Sequence, residues 1–452
     1  MSDDSFDEGL PEEPRTPEEE ALLRFLSQFG ISPGPDGRVD LEELVARAQS
    51  MMAAFSSQLA GFGASDSGSG VNWSFTKDVA RKVTAATGPD PTPSAQDWTA
   101  VRAASELADL WLDEVSFPPL TPPPAAWSRA EWVENTFETW QQLIRPVVTA
   151  LTTTLGELLA EQGAGDPTAG MLQPMVRTAA AGMFAAQVGQ SLGRLSVEVV
   201  SCGDIGLPLT PRPAVALLPA NIAAFGEGLS VSSSDVLLFL ALRETARQRL
   251  FGAVGWLGPQ LLALVEHYAR GIAIDASALE QAIESQLSGA MTPQEIEAAG
   301  QAVAGSLFAP QVTPEQREVL GRLETLLALV EGWVDEVVEQ ATRGRMPAAV
   351  QLTETLRRRR AAGGPAEAAL KALVGLELRP RRTRDAANLW AATRAARGAA
   401  ERDAAWAHPD LIPTAADLDD PLGYAELGHQ PPAADDLDAQ LARLLEEETG
   451  QE

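Results

Sequence analysis

From residue 237 the chain reads Leu237-Leu238-Phe239-Leu240-Ala241-Leu242-Arg243-Glu244-Thr245-Ala246-Arg247-Gln248-Arg249-Leu250-Phe251, with its apolar residues at helical spacing. Ser232, Ser233, Ser234 and Asp235 just ahead of it are N-cap candidates. The same periodicity predicts helices over 17–29, 41–62, much of 72–162, 175–195, 260–270, 276–287, 292–307 and 315–342. Residues 127–161 suffice for one helix or two, with Pro146 as a kink, and the proline-rich run 117–124 makes a stiff connection between helices. Small residues such as Ala181, Ala185, Gly189 and Gly193 place the helix over 175–195 deep inside. The best strand candidates are 197–204 and 214–218, just ahead of the central helix. The pattern is mainly α with a small β element beside one helix.

Composition narrows the class. At 452 residues with 45% hydrophobic and 21% charged, the chain reads as globular and soluble. Its 63 Asp and Glu outnumber 34 Lys and Arg, a formal charge of -29, which sets it against nucleic acid and anionic membrane. The exception is 343–384, with 11 basic against 3 acidic residues, a net of +8 that is expected to pair with the protein's own carboxylates. One cysteine, Cys202, excludes an internal disulfide framework and is expected as a small buried residue. Nine of the first twenty residues are acidic, with no basic or apolar leader, and no apolar run suffices to span a membrane. A cytoplasmic location follows by default. The tryptophans at 73, 98, 111, 127, 132 and 140 are expected in the core.

Candidate chemistry centres on Arg243, Glu244 and Arg247. In the zinc-protease pattern H-E-x-x-H, two histidines one helical turn apart bind one zinc ion while the glutamate activates its water. Here arginine holds both histidine positions. A guanidinium has no lone pair to offer a metal and stays charged. Standing alone, Arg-Glu-x-x-Arg is also an ordinary solvated helix face.

Several further blocks accompany it: Gly203-Asp204-Ile205-Gly206-Leu207-Pro208-Leu209, Tyr268-Ala269-Arg270-Gly271-Ile272, Glu331-Gly332-Trp333 within 326–337, then 357–365, 373–384 and His408-Pro409-Asp410-Leu411-Ile412-Pro413. Together these resemble a zincin-like family of actinobacterial proteins assigned as zinc-dependent metalloproteases or hydrolases. The resemblance covers about 170–421. It implies a zincin-like helical core there, while composition and periodicity place an acidic disordered stretch at 1–16 and a helical region at 17–165 ahead of it and an acidic flexible tail at 422–452 after it. It also implies Glu244 in the catalytic-base position, degenerate ligand positions at Arg243 and Arg247, and a third-ligand position at Glu266 or Glu331. If either carboxylate points at the former metal position, a guanidinium from Arg243 or Arg247 would replace one cation by another. The expected protein is a family member that has lost zinc hydrolysis and binds no cofactor, keeping a structural or binding role. The enzyme alternative keeps Glu244 as base and zinc as cofactor, with ligands such as His267 or His408. A third alternative is an interaction scaffold that recruits a protein partner through its basic segment or acidic tail.

Overall fold

The computed structural model describes residues 71–162, 169–272, 313–374, 376 and 382–427. The elements expected at 1–16, 17–29, 41–62, 276–287 and 292–307, and in the tail beyond 427, lie outside these residues. In chain order the helices are α1 (Trp73–Thr87), α2 (Ala95–Leu112), α3 (Arg129–Gln162), α4 (Ala169–Glu198), α5 (Pro219–Gly226), α6 (Ser233–Ala253) and α7 (Leu257–Arg270). They continue with α8 (Pro314–Thr342), α9 (Ala349–Ala361), α10 (Pro365–Val374), α11 (Thr383–Arg397), α12 (Ala399–Ala404), α13 (Ala415–Asp419) and α14 (Pro421–Leu427). Two short strands, β1 (Ala125–Ala126) and β2 (Ala216–Leu217), complete a mainly helical fold. No helix among the described residues is long and apolar enough to cross a membrane.

The long helices begin where their capping chemistry sits. The Ser232 hydroxyl accepts the amide of Asp235 at the start of α6, and Thr313 with Gln316 forms a reciprocal capping box at the start of α8. Pro146 lies inside α3, which runs unbroken through it, so 129–162 forms one helix rather than two. α7 starts at Leu257, three residues ahead of the helix expected over 260–270.

The β element departs from expectation in one half. Ala216–Leu217 falls within the predicted strand 214–218, but its parallel partner is Ala125–Ala126, at the end of the proline-rich connection. Residues 197–204 do not form a strand. α4 carries its helical stripe to Glu198, burying Leu192 and Leu195, and the chain then meets β2 only in a single antiparallel bridge, Ser201 to Leu217. The β-branched Val197, Val199 and Val200 thus serve helix packing and a turn, since tertiary context outweighs strand propensity in so short a run.

One hydrophobic core extends from Val71 to Tyr424, so the described part of the region before residue 165 shares its core with described residues after it. α1 lies unusually close to α4: a Cβ on Gly189 would stand 2.5 Å from the Thr76 carbonyl oxygen, and one on Gly193 2.7 Å from that of Ala80. Gly332 of α8 does the same against α11, where an added Cβ would meet Ala386 at 2.6 Å. Trp132 and Trp140 are fully buried and Trp73 nearly so, whereas Trp98 is 37% exposed. At the centre lies α6, packed by α2, α5, α8, α9 and β2. Every residue from Leu238 to Phe251 is buried, charged ones included. That arrangement replaces the solvated-face reading of Arg-Glu-x-x-Arg.

Candidate functional site

A helix buried on all sides must pair every charge it carries, since an unpaired buried ion costs several kcal/mol, on the order of the whole stability margin. α6 carries Arg243 and Arg247 one turn apart, and α8 presents Glu331 and Asp335 at the same spacing. The two pairs meet. Arg247 grips Glu331 with Nε to Oε1 at 2.9 Å and Nη2 to Oε2 at 3.2 Å, while Arg243 reaches Glu331 at 3.1 Å and Asp335 at 2.6 Å. The third nitrogen of Arg247, Nη1, donates to Glu244 Oε2 at 2.7 Å. Arg247 therefore bridges the glutamate of its own helix and that of α8 from a position 2% exposed.

Glu244 itself is completely buried. Its Oε1 accepts from the Gly203 amide at 3.1 Å, Gln248 Nε2 at 2.8 Å and the Cys202 thiol at 3.0 Å. Its Oε2 accepts from the Ser201 hydroxyl at 2.6 Å as well as from Arg247. A carboxylate offers about four lone-pair sites, and these donors occupy them. The loop that supplies three of them follows α4 and fits tightly: a Cβ on Gly203 would lie 3.0 Å from Glu244 Oε1 and 2.9 Å from Gln248 Nε2. Glycine is needed there because the backbone amide itself must touch the carboxylate.

A third layer comes from α9. Arg360 donates to Glu331 at 2.6 Å, Arg357 to Asp335 at 3.2 Å, and Arg359 stands 3.6 Å from Asp204, whose carboxylate also accepts the Val200 amide at 3.1 Å. Burial alone would raise the pKa of Glu331, but Arg247, Arg360 and Arg243 outweigh it and hold the carboxyl well below its usual range. Burial likewise lowers Arg247, yet Glu331 and then Glu244 prevail and raise it. Arg243 goes the other way, because its burial outweighs the attraction of Asp335. Burial, reinforced by Glu244, pushes the Cys202 thiol well above its ordinary value.

These residues do not fit a zinc ion. Guanidinium groups occupy both helical ligand positions, and the oxygens of Glu244 and Glu331 are already committed to fixed donors. Among the described residues no group of three or more His, Cys, Asp and Glu is arranged to hold a metal. Of the two carboxylates considered for the third-ligand position, Glu331 stands against Arg243 and Arg247, whereas Glu266 is half-buried and pairs with Arg270 on its own helix. His267 is half exposed and lies 3.0 Å from Glu315, and His408 is exposed beside Asp410 at 3.3 Å. Neither ring joins the cluster.

Asp335, Asp204 and the donors Ser201, Cys202 and Gly203 form part of the site without having been read from the sequence as site residues. Asp335 had a readable signal: two carboxylates one turn apart on α8 mirror two guanidiniums one turn apart on α6. Cys202 is buried as expected, but as a donor to Glu244 rather than as an apolar filler. The basic segment pairs inward through Arg357, Arg359 and Arg360, and at the surface through Arg345 with Glu114 and Arg382 with Asp419, while Arg379 and Arg381 lie outside the described residues.

Comparison with known proteins agrees with this architecture. A crystal structure from Chloroflexus aurantiacus, described as "a putative hydrolase with a novel fold", superposes with a TM-score of 0.53 at 20% identity, covering 79% of this chain and 98% of that one. At that identity the likeness is one of fold. No curated protein matches the chain. The model of the zincin-like metallopeptidase family matches residues 71–425, spanning every helix from α1 to α13 and most of α14. The chain therefore belongs to the zincin-like metallopeptidase family, with arginine in place of histidine on its motif helix.

Proposed function

We propose that this protein has exchanged the zinc chemistry of its family for a fixed charge cluster, and that it acts through a structural or binding role rather than by hydrolysing peptides. The observation that carries the reading is Arg247, which bridges Glu244 at 2.7 Å and Glu331 at 2.9 Å from a buried position on the motif helix. A cation held covalently by the chain stands where a metal ion would be needed, and Glu244, the base position, is spent on hydrogen bonds. The same reading takes no cofactor and supports a reducing, cytoplasmic setting, in which the single buried thiol remains reduced.

The test is metal analysis of protein purified without added metal, together with melting curves with and without chelator and a general peptidase assay. The expected result is substoichiometric zinc, a chelator-insensitive melting temperature and no turnover. Stoichiometric zinc that is lost on His267→Ala or His408→Ala, with chelator-sensitive hydrolysis, would establish recruited ligands and overturn the proposal.

A further inference from the structure

Arg357, Arg359 and Arg360 lie within four residues on α9, yet each reaches a different carboxylate of the site: Asp335, Asp204 and Glu331. Little else fastens this helix. Its buried apolar residues are Ala349, Leu352 and Leu356, and no side chain caps its N-terminus. Val350 on its outer face is 80% exposed. Arg359 adds a stacking contact over the Phe225 ring at 5.7 Å and a hydrogen bond to the Glu198 carbonyl. Glycines in the left-handed region bracket the helix, Gly344 at φ 72° and Gly363 at φ 89°. A Cβ on Gly344 would meet nothing within 4 Å, so the space beside this glycine is open.

We propose that α9 is an electrostatic latch, a glycine-bracketed helix closed over the buried charge cluster chiefly by three arginines and able to lift away as a unit before the rest of the fold opens. The physical case lies in the balance of contacts. Apolar burial resists salt, and deeply buried ion pairs are only weakly screened. All three latching arginines are partly solvated, Arg357 at 37%, Arg359 at 25% and Arg360 at 23% side-chain exposure, so their links are the ones that mobile ions weaken. Once they let go, three apolar residues and the exposed bond from Gln351 to Ser230 at 3.4 Å must hold α9. Lifting α9 uncovers Glu331 and Asp335 on α8 and Asp204 in the loop after α4, together with the arginines that had covered them. The inference rests on the contacts of α9 and stands whether or not zinc hydrolysis has been lost.

Hydrogen–deuterium exchange on the full chain tests it. Raising sodium chloride from low to molar concentration is expected to speed exchange across 349–361 by about fivefold or more, with α7 and α11 unchanged. Arg357→Gln with Arg359→Gln should produce the same selective increase at low salt and remove most of the salt response. Should the double variant fail to fold, Arg359→Gln alone, at a partly exposed position, gives the same reading on a smaller scale. Exchange across α9 that follows α7 and α11 at every salt concentration, in wild type or variant, would overturn the latch.

Discussion

Replacing Arg247 by alanine removes the cation shared by two buried glutamates. Glu244 keeps its donors from Ser201, Cys202, Gly203 and Gln248 but loses its only charged partner in the cluster at 2.7 Å. Glu331 loses its bidentate grip and keeps single contacts to Arg243 and Arg360. Breaking one side of a buried ion pair costs about 3–5 kcal/mol, because the surviving charge stays out of water. Two guanidiniums still face Glu331, so the expected loss lies near the lower bound, about 3 kcal/mol. Arg358→Ala supplies the contrast: that side chain is 79% exposed, its partner Glu354 is on the same helix, and its loss should cost about 0–1 kcal/mol. Urea unfolding followed by tryptophan fluorescence reads both, with an unchanged slope showing that stability rather than denatured-state compactness has altered. A double-mutant cycle of Arg247→Ala with Glu331→Gln should show coupling above about 1 kcal/mol, and one with Glu266→Gln none. A loss below about 1 kcal/mol for Arg247→Ala, or no coupling to Glu331, would refute the argument that this charge cluster holds α6 to α8.

Three further outcomes follow from the same geometry. Glu331 is held below its ordinary value of 4.5, so its charge contributes stability that is present above pH 4.5 and is lost as pH falls through the lowered folded value; urea midpoints from pH 7 downward should therefore fall more steeply for wild type than for Glu331→Gln. Gly203→Ala sets a methyl group 2.9 Å from Gln248 Nε2 and 3.1 Å from Arg247 Cδ and should destabilise by about 1–3 kcal/mol, measured by the same unfolding assay; a neutral effect would mean the loop after α4 yields freely. Cys202 should resist a thiol reagent in the native protein at mildly alkaline pH and react fully in denaturant, since burial and Glu244 suppress the thiolate; rapid native modification would contradict the hydrogen bond to Glu244.

The helices were legible wherever their period was long and their caps were local. The Ser232 cap and the run to Phe251 sufficed for α6, and the expected helix 315–342 differs from α8 by one residue at its start. The β pairing was not legible, because β1 is two alanines at the end of a proline-rich run and takes its register from Val215 and Leu217 far along the chain. Within the site, the arginine positions were plain from spacing alone. Choosing between Glu266 and Glu331 required tertiary structure, since both sit on amphipathic helices and only the packing of α8 against α6 selects one. The carboxylate of Asp204 and the donors of residues 201–203 were beyond periodicity altogether: a turn has no repeating pattern to show which backbone amide will face inward.

Gly332 adjoins Glu331, and its bare Cα surface lies against Ala386 of α11. The azimuth of α8, and with it the direction in which Glu331 and Asp335 point, is thus fixed from a neighbouring face, roughly 60–100° around the helix from the charges. A side chain at 332 would act like a shim under a hinge plate: without touching an ion pair, it would push α8 away from α11 and turn its carboxylates out of alignment with the guanidiniums. The charge cluster inherits its precision from an apolar contact of minimal size, and damage to that contact would be felt first as mispaired charge.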